Sequence, residues 1–176
     1  MKKKYVKDYV SDGKGAYQYR GKYYYSAISE EERKKQGKMQ ILYGISCLLM
    51  ILLALCIPCN GNQTVYIVIP LEITLVCLWG YLTGSFALLR MQERMEQKDY
   101  DKAYQGPMQS LTVAIIFYIF SLGGQVIGIL METTKRTAGD IYFAMILGFI
   151  LVMSCVVWNR QRKIMHYVTE EKTIQK

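Results

Sequence analysis

Four long apolar runs constrain this chain more than any other feature. They cover residues 39–57, 65–89, 110–131 and 141–158, about half of the 176 residues, and Glu72 is the one Asp, Glu, Lys or Arg within them. A helix rises ~1.5 Å per residue and the hydrocarbon core is ~30 Å thick, so about 20 residues cross it. Each run is therefore predicted to be a membrane-spanning helix, because a helix satisfies its own backbone polar groups where lipid cannot.

The sequence thus predicts an all-α fold, a polytopic membrane protein with a four-helix transmembrane bundle. A short N-terminal tail (1–38) and a short C-terminal tail (159–176) flank the transmembrane domain of residues 39–158. A core helix of a soluble protein would fit one such run, but not four runs with no amphipathic helices to cover them. A cleaved signal peptide does not fit either, because the first run begins at residue 39 behind a charged tail.

The distribution of basic residues predicts the orientation. Of the 22 Lys and Arg residues, 20 lie in segments 1–38, 90–109 and 159–176. Short segments rich in Lys and Arg stay on the cytoplasmic side. We therefore expect a multi-pass protein of the cell membrane with its N-terminus, C-terminus and middle loop in the cytoplasm. Loops 58–64 and 132–140 are expected outside.

This orientation also accounts for the net charge of +8. Basic residues beside a span can rest on anionic lipid headgroups, so the predicted partner is the bilayer and no nucleic acid is expected. The basic clusters are Lys2, Lys3, Lys4 and Lys7; then Arg33, Lys34, Lys35 and Lys38 beside the first span; and Arg160, Arg162 and Lys163 beside the fourth.

The N-terminal tail carries two signals of local structure. In Ala16–Ser26 two alternating aromatic stretches flank Arg20 and Gly21, which predicts a small hairpin or extended turn. Its tyrosines are expected at the headgroup level, or alternatively in a docking patch for a partner. The Ser-Glu-Glu-Glu sequence at residues 29–32 is a capping box, so a helix is predicted to begin near Glu30 and run into the first span.

Glu72 is the first candidate for function, because an ionisable side chain inside a membrane is costly. It lies about as deep below the outer boundary as Gln125 of the third span, so a hydrogen bond between the two side chains is predicted. Two roles stay open. The pair could simply hold two helices together, or Glu72 could handle a proton or cation.

Glycine pairs predict where helices approach closely. Gly80 and Gly84 in the second run, and Gly124 and Gly128 in the third, are each spaced four residues apart. Such pairs bring backbones together, either within one chain or between two chains. We therefore expect the chain to form a homo-oligomer or to bind a larger membrane protein.

Cys56 and Cys59 form a CxxC sequence where the first run meets the outer loop. This placement resembles that of the membrane thiol oxidases of the DsbB and vitamin-K-epoxide-reductase type. That resemblance implies a second cysteine pair in the other outer loop, but residues 132–140 contain no cysteine. No metal site and no cofactor are predicted, since the one histidine, His166, lies in the C-terminal tail.

Several stretches together resemble a loosely defined group of small four-span membrane proteins from Gram-positive bacteria. They are the tyrosine-rich Tyr17–Tyr25, the helix start at Ser29, the VYIVIPLE entry at Val65–Glu72 and the MEQKDYDKA stretch of the middle loop. The resemblance implies the four-span topology and no activity.

These observations predict a non-enzymatic accessory or interaction protein that acts through helix packing and its basic, tyrosine-rich tail. The first alternative is a transporter or ion-handling component that uses Glu72. The second is a membrane thiol oxidoreductase that uses Cys56 and Cys59.

Overall fold

The computed structural model describes residues 8–11, 17–131 and 137–170. Its helices are α1 (Glu30–Leu55), α2 (Val65–Leu89), the short α3 (Gln97–Tyr100), α4 (Gly106–Met131) and α5 (Ala138–Met165). The helices α1, α2, α4 and α5 are long and apolar enough to cross a membrane. The predicted all-α fold with four spanning helices is therefore confirmed. The basic cluster at residues 2–7, and Lys135 and Arg136 of the loop between α4 and α5, lie outside the described residues.

Three of the spanning helices, α1, α4 and α5, extend beyond their apolar runs. Helix α1 begins at Glu30, as predicted, and the Ser29 hydroxyl accepts a hydrogen bond from the backbone N–H of Glu32 at 3.3 Å. Helix α4 continues from α3 through a π-helical turn at residues 101–105. Pro107 is the second residue of α4 and has no N–H to donate. The wider turn before it accommodates the proline without ending the helix.

The four long helices pack in a ring in the order α1, α2, α4, α5. The α2–α4 interface is the most extensive of the four, and the α1–α5 interface is the least extensive. Ile51, Leu71, Leu78, Leu111 and Leu147 lie at the centre of the bundle. The outward faces carry apolar side chains as well, as expected for a surface that faces lipid.

The tails and the middle loop form two small antiparallel sheets. Strand β1 (Tyr9–Ser11) pairs with β2 (Tyr17–Tyr19), and β3 (Tyr23–Ser26) lies between β4 (Arg94–Glu96) and β5 (Val168–Glu170). The predicted hairpin within Ala16–Ser26 is therefore wrong, because its two halves join different sheets. Strand β3 pairs along both of its edges, whereas an isolated two-stranded hairpin is only marginally stable in water.

Side chains of the tyrosines fasten these sheets to the bundle. Tyr24 of β3 stacks on Tyr100 of α3 with ring centroids 4.2 Å apart. Tyr9 donates a short hydrogen bond to the carboxylate of Glu96, and this bond raises the pKa of Tyr9 to about 12. At the outer edge, Lys22 contacts Glu170 at 2.9 Å, and this partner raises the pKa of the lysine. The stacked rings hold the three-stranded sheet against α3, and the Tyr9–Glu96 bond joins the two sheets to each other.

The three-stranded sheet brings the N-terminal tail, the middle loop and the C-terminal tail to one end of the bundle, which we call the tail end. The turn at Asn60–Gln63 and the start of α5 meet at the opposite end, which we call the loop end. An even number of crossings places both termini on one side of a membrane. This arrangement agrees with the prediction that both termini and the middle loop share a side.

Candidate functional site

Glu72 lies on the outward face of α2. Its side chain is exposed, whereas its neighbours Leu71 and Thr74 are buried in the bundle. Val76 and Trp79 share the outward face and are 73% and 69% exposed. No hydrogen bond or ion pair reaches Glu72 from the described part of the chain. The carboxyl group therefore points toward the region that lipid or another protein would occupy.

The predicted hydrogen bond between Glu72 and Gln125 is wrong. Gln125 lies inside the bundle, 2% exposed, and its side-chain amide donates to the backbone carbonyl of Asp140 at 3.1 Å. A second contact joins the same amide nitrogen to the Asp140 carboxylate at 3.5 Å. Gln125 also lies nearer the loop end than Glu72, because Ser121, one turn further along α4 toward the tail end, already meets Ile67 of α2: its hydroxyl donates to the Ile67 carbonyl at 3.2 Å. Gln125 therefore belongs to a polar cluster at the loop end.

Asp140 is the centre of this cluster. It is 3% exposed, and its carboxylate accepts five further hydrogen bonds from three residues, Thr137, Asn60 and Gly61. Thr137 donates its backbone N–H and its hydroxyl at 2.8 and 2.9 Å. Asn60 donates its backbone N–H at 2.9 Å and its side-chain amide at 3.3 Å, and Gly61 donates its N–H at 3.4 Å. One carboxylate thus holds the α1–α2 turn against the start of α5.

Local geometry explains two residues of the cluster. Thr137 caps α5, because its hydroxyl accepts from the N–H of Asp140 while the Asp140 carboxylate accepts from the N–H of Thr137. A Cβ placed on Gly61 would lie 2.1 Å from the Gln125 amide oxygen, so no larger residue fits there without displacing that side chain. A cavity of about 400 Å³ adjoins the cluster, with Tyr66 and Gly128 on its wall.

Asp140 is not among the residues predicted from the sequence, although a signal for it was present. Thr-x-x-Asp directly before an apolar run is a variant of the capping box. A buried carboxylate surrounded by N–H and O–H donors is held in its charged form by those donors. Since these bonds occupy both of its oxygen atoms, Asp140 is suited to joining helices rather than to accepting a proton from a substrate.

The glycine pairs pack α2 against α4 within one chain. A Cβ on Gly84 would lie 2.1 Å from Cγ of Pro107, and one on Gly80 would lie 2.9 Å from the hydroxyl of Ser110. A Cβ on Gly124 would lie 3.1 Å from the Tyr66 ring. Gly128 is looser, with the Tyr66 hydroxyl at 4.0 Å. Three of the four glycines therefore serve contacts between helices of the same chain.

The two cysteines of the CxxC sequence lie in different surroundings. Cys56 directly follows α1 and is exposed, whereas Cys59 is buried in the core cluster of the bundle. The remaining cysteines, Cys47, Cys77 and Cys155, are free thiols. The thiol oxidoreductase alternative stays a prediction.

The predicted headgroup residues divide into two groups. Lys34, Lys35 and Lys38 of α1 are exposed at the tail end, as are the basic residues of α5, Arg160, Arg162 and Lys163. Arg162 also lies over the ring of Trp158, 5.5 Å from its centroid. Arg33 differs from the prediction: its side chain is 2% exposed, so it does not present its charge to headgroups.

Arg33 belongs to a set of buried polar side chains at the tail end. Its Nε and Nη1 atoms have no hydrogen-bond partner among the described residues, and the same holds for the hydroxyls of Ser26 and Tyr104. Both amide atoms of Gln161 on α5, and the amide oxygen of Gln36 on α1, share this property. Buried polar groups of this kind are normally satisfied, if not by protein then by water or a ligand. This set was not predictable from the sequence, because its members are far apart in the chain and no motif connects them.

Within the described residues, no group of His, Cys, Asp and Glu side chains is arranged to hold a metal ion. Comparison with protein families, curated proteins and solved structures finds no match to this chain.

Proposed function

We propose that this protein is a non-enzymatic accessory protein of the cell membrane, and that it assembles laterally with another membrane protein through the outward face of α2. The observation that carries the proposal is the exposed carboxyl group of Glu72 on that face. The basic tail end would lie in the cytoplasm, because the segments that meet there hold 20 of the 22 Lys and Arg residues.

The position of Glu72 makes lipid a poor neighbour. It is the eighth residue of the 25-residue α2, so it lies ~10 Å from the loop end of that helix. A charged side chain at the centre of a spanning helix costs ~2.5–3.5 kcal/mol on insertion scales, and less nearer the boundary. A partner helix that places a donor beside Glu72 would offset this cost.

The surroundings of Glu72 define the chemistry of that partner. Val76 and Trp79 extend the outward face one and two turns toward the tail end, and both are apolar and exposed. A matching helix would bring Lys, Arg, His, Asn or Gln opposite Glu72 and apolar side chains opposite the other two. The glycine pairs are not available for this contact, since they pack α2 against α4 in the same chain.

The alternatives receive less support from the same geometry. Transport centred on Glu72 calls for a water-filled path to the carboxyl group, but Glu72 does not line the 400 Å³ loop-end cavity and faces away from the bundle interior. Thiol chemistry calls for a reactive pair, whereas Cys59 is buried and Cys56 is exposed. Neither alternative has an observation of its own that favours it.

Site-specific photocrosslinking tests the proposal. A photoreactive residue at Val76 should give one discrete adduct in native membranes, and Glu72→Leu should weaken that adduct strongly. Glu72→Gln should retain part of it, because an amide can still form a hydrogen bond. The matched control is the same probe at Val152, which is 62% exposed on α5. Equal, diffuse lipid adducts from both positions, unaffected by Glu72→Leu, would refute the lateral assembly.

A further inference from the structure

A groove runs between α1 and α5 in the tail-end half of the bundle, and this pair has the least extensive interface in the ring of helices. Its volume is about 320 Å³, at the lower end of the ~300–1,000 Å³ typical of small-molecule sites. Its walls are mostly apolar, with Met39 and Leu42 from α1 and Met153, Val156 and Val157 from α5. Such walls suit a hydrocarbon chain.

The groove becomes polar at its end nearest the tails. Gln161 lines it and is 2% exposed, yet its amide nitrogen and its amide oxygen both lack a hydrogen-bond partner among the described residues. Gln36 faces it from α1, and its amide oxygen is also buried and unpartnered in the described chain. Leaving such groups unsatisfied is costly, so the site is built for a molecule that supplies both an acceptor and donors.

The charge at this end of the groove is positive. Arg160 lines the groove, and Arg162 and Lys163 follow it on the same helix. No Asp or Glu is among the residues that line the groove. An anionic group at the mouth would therefore pair with the Arg160 guanidinium, and a phosphate can accept from the Gln161 amide at the same time.

We propose that this groove binds one phospholipid whose anionic headgroup also carries hydroxyl groups, such as phosphatidylglycerol. An acyl chain lies along the apolar walls, and the phosphate accepts from Arg160 and the amide nitrogen of Gln161. The headgroup hydroxyls donate to the amide oxygens of Gln161 and Gln36. A choline headgroup has no donor for these two oxygens, and phosphatidic acid has no glycerol hydroxyls. The hydrogen-bond donors and acceptors of the site therefore determine which headgroup binds, and the apolar walls determine that the ligand carries an acyl chain.

This binding is independent of the lateral partner proposed for α2, because the groove lies between α1 and α5. It also differs from general attraction of basic residues to an anionic surface. A general attraction depends on every exposed Lys and Arg and falls with salt. The proposed site depends on a neutral amide, and its preference for hydroxyl-bearing headgroups persists when exposed charges are screened.

Native mass spectrometry of the purified full chain tests the proposal, with dioleoyl phosphatidylglycerol, phosphatidylcholine and phosphatidic acid added separately. We expect one tightly retained phosphatidylglycerol, bound at least about tenfold more tightly than phosphatidylcholine, since one hydrogen bond regained by a buried amide corresponds to about a tenfold change in affinity. Gln161→Leu should remove this preference, whereas Asn159→Leu, on an exposed neighbour, should not. Arg160→Gln should weaken binding more than Arg162→Gln. Free glycerol 3-phosphate, which has no chain, should not compete.

Thermal unfolding in nanodiscs gives a second readout that does not depend on retention in the gas phase. Adding phosphatidylglycerol to phosphatidylcholine nanodiscs should raise the Tm of the wild type and of Asn159→Leu, but raise it much less for Gln161→Leu. An equal rise for all three proteins would overturn the proposal, as would equal affinity for the three lipids. A photoreactive residue at position 42 that crosslinks to a second copy or to another protein would overturn it too, because the groove would then hold a helix.

Discussion

Replacing Asp140 tests whether the loop end is held together by one buried carboxylate. Asp140→Asn keeps the size of the side chain but removes its charge and turns one acceptor atom into a donor. That amide would then face the N–H and hydroxyl of Thr137, or the donors of Asn60, which now contact the carboxylate at 2.8–3.3 Å. The substitution therefore converts attractive contacts into repulsive ones without changing the packing volume.

The magnitude follows from the bonds that are lost. Hydrogen bonds to a charged group contribute about 1.5–3 kcal/mol each, and the helix-capping interaction of Thr137 and Asp140 is worth about 1 kcal/mol. At least two of the five bonds to the carboxylate cannot form with an amide, so Asp140→Asn should lower the free energy of unfolding by about 3–5 kcal/mol. Asp140→Ala loses every bond to the carboxylate, but it leaves room for water to reach some of the released donors. Its cost in free energy of unfolding should therefore be similar.

Unfolding by SDS in mixed micelles, followed by tryptophan fluorescence, measures this difference. Asp99→Asn is the matched control, because Asp99 lies at the tail end and is not part of the cluster. It should change the free energy of unfolding by less than about 0.5 kcal/mol. A single neutral hydrogen bond contributes about 1 kcal/mol. If Asp140→Asn changes the free energy of unfolding by no more than about this amount, Asp140 does not hold the loop end together.

Two further predictions concern helix packing and orientation. Gly84→Ala should lower the free energy of unfolding by about 1–3 kcal/mol, because its Cβ would lie 2.1 Å from Cγ of Pro107. Gly123→Ala should be neutral or slightly stabilising, since nothing lies within 4 Å of a Cβ at that position. The same SDS titration measures both, and equal effects would contradict the close α2–α4 contact. In single-cysteine proteins, Cys56 should react with a membrane-impermeant maleimide on intact cells, whereas a cysteine from Gln92→Cys should react only after permeabilisation. Labelling of both from one side would contradict the arrangement of the four spans.

The four spans were predictable because their signal depends on length and composition alone. About 20 apolar residues without charge identify a spanning helix wherever they occur. The faces of those helices were not predictable, because the bundle interior and the lipid-facing surface are equally apolar. Counting residues from the ends of the runs put Glu72 and Gln125 at the same depth, but α4 is shifted along α2 so that Ser121 meets Ile67, and α2 is rotated so that Glu72 faces outward. Leu71 is only 1% exposed, so it faces the bundle interior, and this rotation of α2 turns Glu72 outward.

Long-range contacts account for the other differences. The alternating tyrosines of the N-terminal tail predict strands, and strands are present, but β3 pairs with residues of the middle loop and the C-terminal tail instead of its neighbour. No local sequence pattern indicates that a strand will pair with segments so distant in the chain. Arg33 was assigned to headgroups because it follows the usual pattern of a basic residue beside a span, yet its side chain is buried, close to Tyr104 of the π-helical turn.

The three-stranded sheet at the tail end also constrains the order of assembly. Its middle strand precedes all four spanning helices in the chain, whereas β5 follows the last of them. The sheet cannot close until all four helices have entered the membrane and the final strand has left the ribosome. Closure is thus a late, chain-length-dependent step, and a protein truncated before Val168 would leave one edge of β3 open to pairing with other chains.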